Sequence, residues 1–425
     1  MKKERILFIL PFIPYPLITG GHQAIFNGIK SLIENYDLYI TYESKWDVND
    51  KEEINSLQNV LGKSVTILPY KCPKPDNTEN SNSFIHKIHI FLWLIKIHLY
   101  KIILPTKKDN KNNLTIWQGE YLPKNEEQVK FINNIISKYN INIVQCEMLQ
   151  TASYVLTLPN IVKKIFVHHE IGFVREELNV MAKVKNYEIY KETLDIVKKN
   201  EIAILNKFDA IITLSKIDSK KLIEAGVNIP IYTSFAIVNC NPNLDNKSER
   251  HHILTFIGPS CHEPNVIGIK WFLKNCWKDL RAINSDYCLQ IIGKWDKSIS
   301  KNIKKEYPNI HFKGFVEDLH SEIRNTIMIV PITVGSGIRM KILEACMSGI
   351  PVISTSIGAE GLPLTHNKDI LIADSPNDFI SAITKLKDKD TRLKLIQSSR
   401  EKIIKDYSIN ALKVNRETIL KSIIN

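Results

Sequence analysis

Between Ile327 and Leu362 the chain reads IMIVPITVGSGIRMKILEACMSGIPVISTSIGAEGL. The residues able to do chemistry crowd into its middle: Gly335-Ser336-Gly337, then Arg339, Lys341 and Glu344. A glycine turn that opens a helix leaves the first N–H groups free, and these favour a phosphate together with the helix dipole. Ile338 begins the expected helix, and Arg339 and Lys341 add positive charge in its first turn. Glu344 lies about one and a half turns further on. It faces the cleft if Ile342 and Cys346 face the core. A carboxylate there can accept two hydrogen bonds from a vicinal diol such as a ribose. The pattern points to a nucleoside diphosphate held at a helix end, with Glu344 on the sugar of the nucleoside.

The elements that must position these residues are legible around them. Ile327–Ile332 is a short apolar run, as expected of a strand buried on both faces of a parallel sheet. Ile338–Met347 carries apolar residues at helical spacing, Gly349 stands where a helix ends in a left-handed residue, and Pro351–Thr355 is the next strand. Upstream, Ile253–Ile257, a helix over Val266–Leu280, a strand over Cys288–Gly293 ending at Lys294, and Asn309–Gly314 followed by Phe315-Val316 complete a Rossmann-like unit.

The N-terminal half repeats the architecture. Arg5–Pro11 reads as a strand, Pro14 to Gly21 as a loop containing Gly20 and Gly21, and His22–Glu34 as a helix. No GxGxxG follows the strand, so a dinucleotide fingerprint is absent. Asp37–Tyr42, Ser64–Pro69, Asn142–Cys146, Lys164–His169 and Ala210–Ser215 are further strands; Glu126–Tyr139, Tyr187–Asn206 and Asp218–Ala225 are helices. Glu147 and His168-His169-Glu170 fall at strand carboxyl ends, where open parallel sheets bind ligands. Successive strand residues face opposite sides, so one of the two histidines is expected to reach the cleft. Val238–Arg250 is polar and aperiodic, the expected interdomain linker. The division is 1–240, 250–405, and a last helix over 406–425 that could cross back to the first domain.

Composition narrows the partners. The 425 residues suffice for two or three domains, and 44% hydrophobic residues can bury substantial cores. A formal charge of +12 favours anionic partners, but no nucleic-acid module or long basic block is present, so nucleic acid is not an expected partner. Seven scattered cysteines without a CxxC fit a reducing, cytoplasmic setting. The basic and apolar start is broken by Pro11, Pro14 and Pro16, so it reads as a strand and not as a signal peptide. Residues 84–104, FIHKIHIFLWLIKIHLYKIIL, are apolar but too charged to span a bilayer comfortably. They are a candidate for peripheral contact with a membrane, or a core helix with exposed lysines.

Taken together, Gly335 and Gly337, Leu343-Glu344-Ala345, Gly349, Pro351-Val352-Ile353, Thr355 and Gly358-Ala359-Glu360-Gly361 resemble the donor-binding core of retaining GT-B glycosyltransferases, specifically glycosyltransferase family four. The resemblance covers 252–390 most strongly. It implies an α/β fold of two Rossmann-like domains facing each other across a cleft. It further implies a nucleotide-diphosphate sugar as donor substrate, transfer with retention to a glycan or lipid-linked acceptor, and no cofactor and no obligatory metal. Surface polysaccharide or glycolipid synthesis at the inner face of the membrane is the family-level expectation. The resemblance places Gly20 and Gly21 near the donor phosphates, His169-Glu170 at the catalytic centre with Arg339, and Phe315-Val316 against the base. Two departures stand out. The family's earlier glutamate would fall at position 336, where this chain has Ser336, and the family's arginine–lysine pair is missing from the loop after Ile257. Arg339, with Lys341 or Lys294, must then supply the charge. These departures keep a catalytically degenerate GT-B binding subunit open as an alternative, beside a sugar-nucleotide 2-epimerase.

Overall fold

The structure is a computed structural model that describes residues 3–44, 50–71, 121, 124–183, 187–235, 237, 250–335 and 337–424. The segment 84–104, most of the expected linker and Ser336 lie outside the described residues.

Two parallel sheets account for the apolar runs. In the first, β1 (Arg5–Leu10), β2 (Asp37–Ser44), β3 (Val65–Ile67), β4 (Tyr70–Lys71), β5 (Ile143–Glu147), β6 (Lys163–His168), β7 (Ala210–Thr213) and β8 (Ile231–Thr233) stand in the order β3-β2-β1-β5-β6-β7-β8, with β4 on β2. In the second, β9 (Ile253–Ile257), β10 (Cys288–Ile292), β11 (Ile310–Gly314), β12 (Ile327–Val330), β13 (Val352–Ser354) and β14 (Leu371–Ile372) stand in the order β11-β10-β9-β12-β13-β14. The central strands β1, β9 and β12 are nearly continuous apolar segments because helices cover both faces, while β5 also buries Gln145 and Glu147; the inner residues of all four are almost fully buried. Each sheet reverses its winding direction once, between β1 and β5 and between β9 and β12. Crevices outside the carboxyl ends of strands at such reversals are where open α/β sheets bind ligands.

Several expected boundaries move for local reasons. The helix expected from His22 begins at Gly20, because the Thr19 side chain accepts from the His22 N–H and caps the first turn. Gly20 and Gly21 are therefore helical and not part of the preceding loop. The helix expected over Val266–Leu280 starts at Glu263, widens into a π turn over Leu273–Trp277 and ends at Ile283. The helix expected from Ile338 starts at Met340: Arg339 has extended backbone and is the N-cap residue, so only Lys341 of the two cations lies in the first turn. Gly172–Lys183 forms a helix whose periodicity is weak in sequence.

The last helix, Ile409–Ile424, lies against Gly20–Lys30 of the first domain. Lys413 pairs with Glu34, the Asn35 amide donates to Glu417 at 2.5 Å, and the Asn415 amide donates to the Thr233 carbonyl at 3.3 Å.

Candidate donor and catalytic site

The two reversal points meet. Gly337 has φ +86, and a Cβ built on it would stand 3.0 Å from the His169 carbonyl oxygen. A side chain would be strained by the backbone and tight against that carbonyl, so glycine lets the backbone at 337 approach the end of β6. Gly20 is the counterpart contact: its Cβ would come 2.7 Å from Met340 Cγ at the start of the donor helix. A third bridge runs from the loop after β13, where Glu360 pairs with Lys221 at 2.8 Å.

On the donor side, the Met340–Met347 helix buries Ile342, Leu343, Ala345 and Cys346 completely. That leaves Arg339, Lys341 and Glu344 off the core face; Glu344 meets Gln23 of the first domain, and Lys341 meets Asn265 and Phe256 of its own. Arg339 is 8% exposed, and its Nη1 donates to the Gly337 carbonyl at 3.0 Å. Burial pulls its pKa down, and Glu170, Glu360 and Asp218 work against that pull. Lys341 Nζ donates to Asn265 Oδ1 at 2.8 Å and sits 4.0 Å from the centre of the Phe256 ring. Burial, with help from Arg339, brings its pKa down to about 7. His262 borders the same cluster. Its residue is exposed at the surface, and partial desolvation of the ring with the neighbouring cations Arg339, Lys341 and Arg175 lowers its pKa. Glu344 is 8% exposed and its pKa is raised by burial, although Gln23 and Lys341 oppose the shift. Its partner comes from the opposite domain: Gln23 Nε2 donates to Glu344 Oε1 at 2.5 Å.

Across the cleft the two histidines separate as the pleat requires. His168 points into the core, where its Nε2 stands 2.9 Å from Glu201 Oε1. Glu201 is fully buried and also accepts from the N–H groups of Gly172 and Phe173 at 3.0 and 2.8 Å, so it caps the helix after β6. His169 faces the cleft side, with Nε2 2.6 Å from Glu147 Oε2. The other Glu147 oxygen accepts from Gln145 Nε2 at 2.6 Å. Glu147 therefore has a partner on each oxygen, and it fixes the imidazole through Nε2. Glu170 pairs with Arg175 at 3.3 Å, and Arg175 also reaches Glu176 at 3.1 Å.

The structure thus brings together Gly20, His169, Glu170, Gly335, Gly337, Arg339, Lys341 and Glu344. Gly21 lies one residue further along, against Met148, and Ile338 against the loop at Gly361. Lys294 is exposed after β10, where its carbonyl accepts from Ser260 N–H at 3.0 Å. Phe315 is 62% exposed and not a core aromatic, while Val316 packs on the core. Neither Lys294 nor Phe315 makes a described contact with Arg339, Lys341 or Glu344. Gln23 and Gln145 are site residues that sequence patterns did not single out. Among the described residues, no group of three or more His, Cys, Asp or Glu side chains is placed to hold a metal ion. No helix among them is long and apolar enough to cross a membrane.

Residues 251–389 match the model of the family described as Glycosyl transferases group 1. The chain is 25% identical over 254 residues to an uncharacterised 44.6 kDa protein in the cps region of Klebsiella pneumoniae; the match spans 56% of this chain and 62% of that protein. Among solved structures it resembles sucrose-phosphate synthase from Thermosynechococcus elongatus, with a TM-score of 0.69 at 13% identity over 99% of both chains. It also resembles S. aureus TarM in complex with fondaparinux, alpha-GlcNAc-glycerol and UDP, with a TM-score of 0.67 at 14% identity over 99% of this chain and 100% of that one. These likenesses establish the GT-B fold.

Proposed function

We propose, for a chain of GT-B fold that carries a group 1 glycosyl transferase region over 251–389, that it moves a sugar from a nucleoside diphosphate to a glycan or lipid-linked acceptor with retention. One observation carries the reading. A single helix start holds a buried arginine, a half-buried lysine and a buried carboxylate against a second domain that offers a fixed histidine. Buried charges of this kind cost stability unless something uses them.

In this reading Glu344 accepts from the ribose. Arg339, Lys341 and the N–H groups at the start of the Met340–Met347 helix take the diphosphate. As the glycosidic bond breaks, negative charge grows on the leaving phosphate, and pre-placed cations in a dry cleft stabilise it without reorganising. His169 is held through Nε2 by Glu147, which leaves Nδ1 for a sugar hydroxyl. The contacts at Gly337 and Gly20 keep water from the reacting carbon, which limits hydrolysis. The cps-region relative and the TarM complex with UDP support polysaccharide assembly and a uridine nucleotide.

The test is a thermal-shift screen against UDP, GDP, ADP, TDP and their common sugar conjugates. A ligand that binds only the folded chain raises Tm. The reading expects a rise with at least one nucleotide, lost in Glu344→Ala, and release of that diphosphate from its sugar conjugate when acceptor is added. A well-folded sample with no rise for any of them contradicts it.

A further inference from the structure

The segment after β9 lacks the family's arginine–lysine pair, but it runs into Pro264-Asn265, to which the donor-site reading gives no role. Asn265 is 4% exposed and lies in the first turn of the Glu263–Phe272 helix. The two ends of its amide face different groups. Nδ2 donates to the Pro259 carbonyl at 2.8 Å, and Oδ1 accepts from Lys341 Nζ at 2.8 Å. That orientation is forced, because a carbonyl can only accept and an ammonium can only donate. Among the described residues, Oδ1 is the hydrogen-bond acceptor of this ammonium, which stands 4.0 Å from the centre of the Phe256 ring. The seat of the amide is fixed in turn. Gly258 N–H donates to the Ile292 carbonyl at 2.8 Å, and the Gly258 carbonyl accepts from Trp295 Nε1 at 2.8 Å. Gly258 has φ +147, and a Cβ on it would stand 2.5 Å from Asn265 Nδ2 and 2.9 Å from Lys341 Nζ. Only glycine leaves room for both side chains there.

We infer that Asn265 is a positioning residue for the diphosphate: its fixed amide holds the Lys341 ammonium at the start of the donor helix, where that lysine replaces the missing basic pair. This role rests on the donor-site reading above and adds the group that fixes its lysine. An acceptor on an ammonium favours the charged form, so Asn265 works against the burial that lowers the Lys341 pKa. The other titratable groups around the ammonium are Arg339, Glu344 and His262. Desolvation and the nearby cations lower the His262 pKa, which takes its titration away from that of Lys341. Nucleotide affinity therefore begins to fall at the pH where Lys341 of the free protein loses its proton, and that pH follows what residue 265 offers the ammonium.

The experiment is calorimetric titration of the full chain with UDP, and with GDP and ADP, from about pH 6 to about pH 9. Each variant is read as its ratio to the wild type, which cancels the nucleotide's own ionisation. Wild-type affinity should begin to fall near about 7. In Asn265→Leu the fall should begin at lower pH, and at about pH 8 binding should be about tenfold weaker, the scale of one hydrogen bond to a charged group. Asn265→Asp sets a carboxylate against the ammonium. Its fall should begin at higher pH than in the wild type, with weaker binding at about pH 6 because the carboxylate competes with the diphosphate. Uridine, which has no diphosphate, should bind all three proteins alike. In a Lys341→Met background, Asn265→Leu should change UDP affinity by less than about twofold, because residue 265 acts through the lysine. Circular dichroism checks that each variant is folded, and if Asn265→Leu does not fold, the direction of the Asn265→Asp shift decides. Variants whose affinity begins to fall at the wild-type pH overturn the inference, as does an Asn265→Leu loss that persists in the Lys341→Met background. Failure of every nucleotide to bind the folded wild type is a different result, and it removes the donor-site reading itself.

Discussion

The two sides of the cleft handle buried charge in opposite ways. On the first domain, Glu201 has a histidine and two backbone N–H groups, and Glu147 has a partner on each oxygen. On the donor domain, Lys341 has one hydrogen-bond acceptor and a ring face for its three donors, and Glu344 has one donor for two oxygens. Buried groups with complete partners fix geometry, whereas buried groups with vacant valence are kept for something that is yet to bind. The carboxylates beneath β5 and β6 therefore belong to the frame, and in the proposed function Lys341 and Glu344 keep their remaining valence for a ligand.

The comparison is broken most forcefully at Glu201. Glu201→Ala leaves His168 and two N–H groups buried without their acceptor, and breaking such a buried pair costs about 3–5 kcal/mol. Chemical denaturation should show that loss, and UDP affinity of the protein that remains folded should be close to wild type. A loss of UDP binding without a loss of stability would move Glu201 from frame to site.

The next effect is on pH. Lys341 is held at about 7 by burial, and an incoming diphosphate favours its charged form. Above that pH the free site holds a neutral lysine, so binding takes up a proton. UDP affinity should fall by up to about tenfold per unit from about pH 7 to about pH 9, and Lys341→Met should flatten the dependence. The ligand-free protein should respond in the opposite sense. The unfolded chain keeps this lysine charged up to its ordinary value, so through the same window it binds more protons than the folded state. The contribution of Lys341 to stability therefore rises with pH. Calorimetry in buffers of different ionisation enthalpy would count the proton. An affinity independent of pH would place the diphosphate away from Lys341.

How much of this was legible in the sequence depends on the range of the interaction. The strand–glycine–helix order around Gly335 and Gly337 is local, and so is the pleat's rule that only one of His168 and His169 faces the cleft; the choice of His169 came from the family resemblance. Arg339 was displaced from the first helical turn to its cap because backbone angles at a helix start follow the loop's packing, here against His169. Gly20 and Gly21 joined the helix because one hydroxyl, Thr19, caps it. Gln23 could not be read at all: it sits in an ordinary amphipathic helix, and its partner lies in the other domain. The same holds for Glu201, a carboxylate on a helix until the fold brings β6 beside it. Phe315, which the resemblance places against the base, is 62% exposed.

The smallest effect is at the cleft's outer bridge. Lys221 and Glu360 are each 30% exposed, so Lys221→Ala should cost no more than about 1 kcal/mol of stability. A larger loss would mean that this pair, and not the buried cluster, holds the domains together.

The most direct measurement is a titration of UDP against uridine with the wild type, Arg339→Ala and Glu344→Ala. In the proposed function the diphosphate lies on Arg339 and the ribose on Glu344. Arg339→Ala should therefore bring UDP down towards the affinity of uridine and leave uridine unchanged, while Glu344→Ala weakens both. If Arg339→Ala weakens uridine as much as UDP, or leaves UDP untouched, the donor site does not lie where the two domains meet.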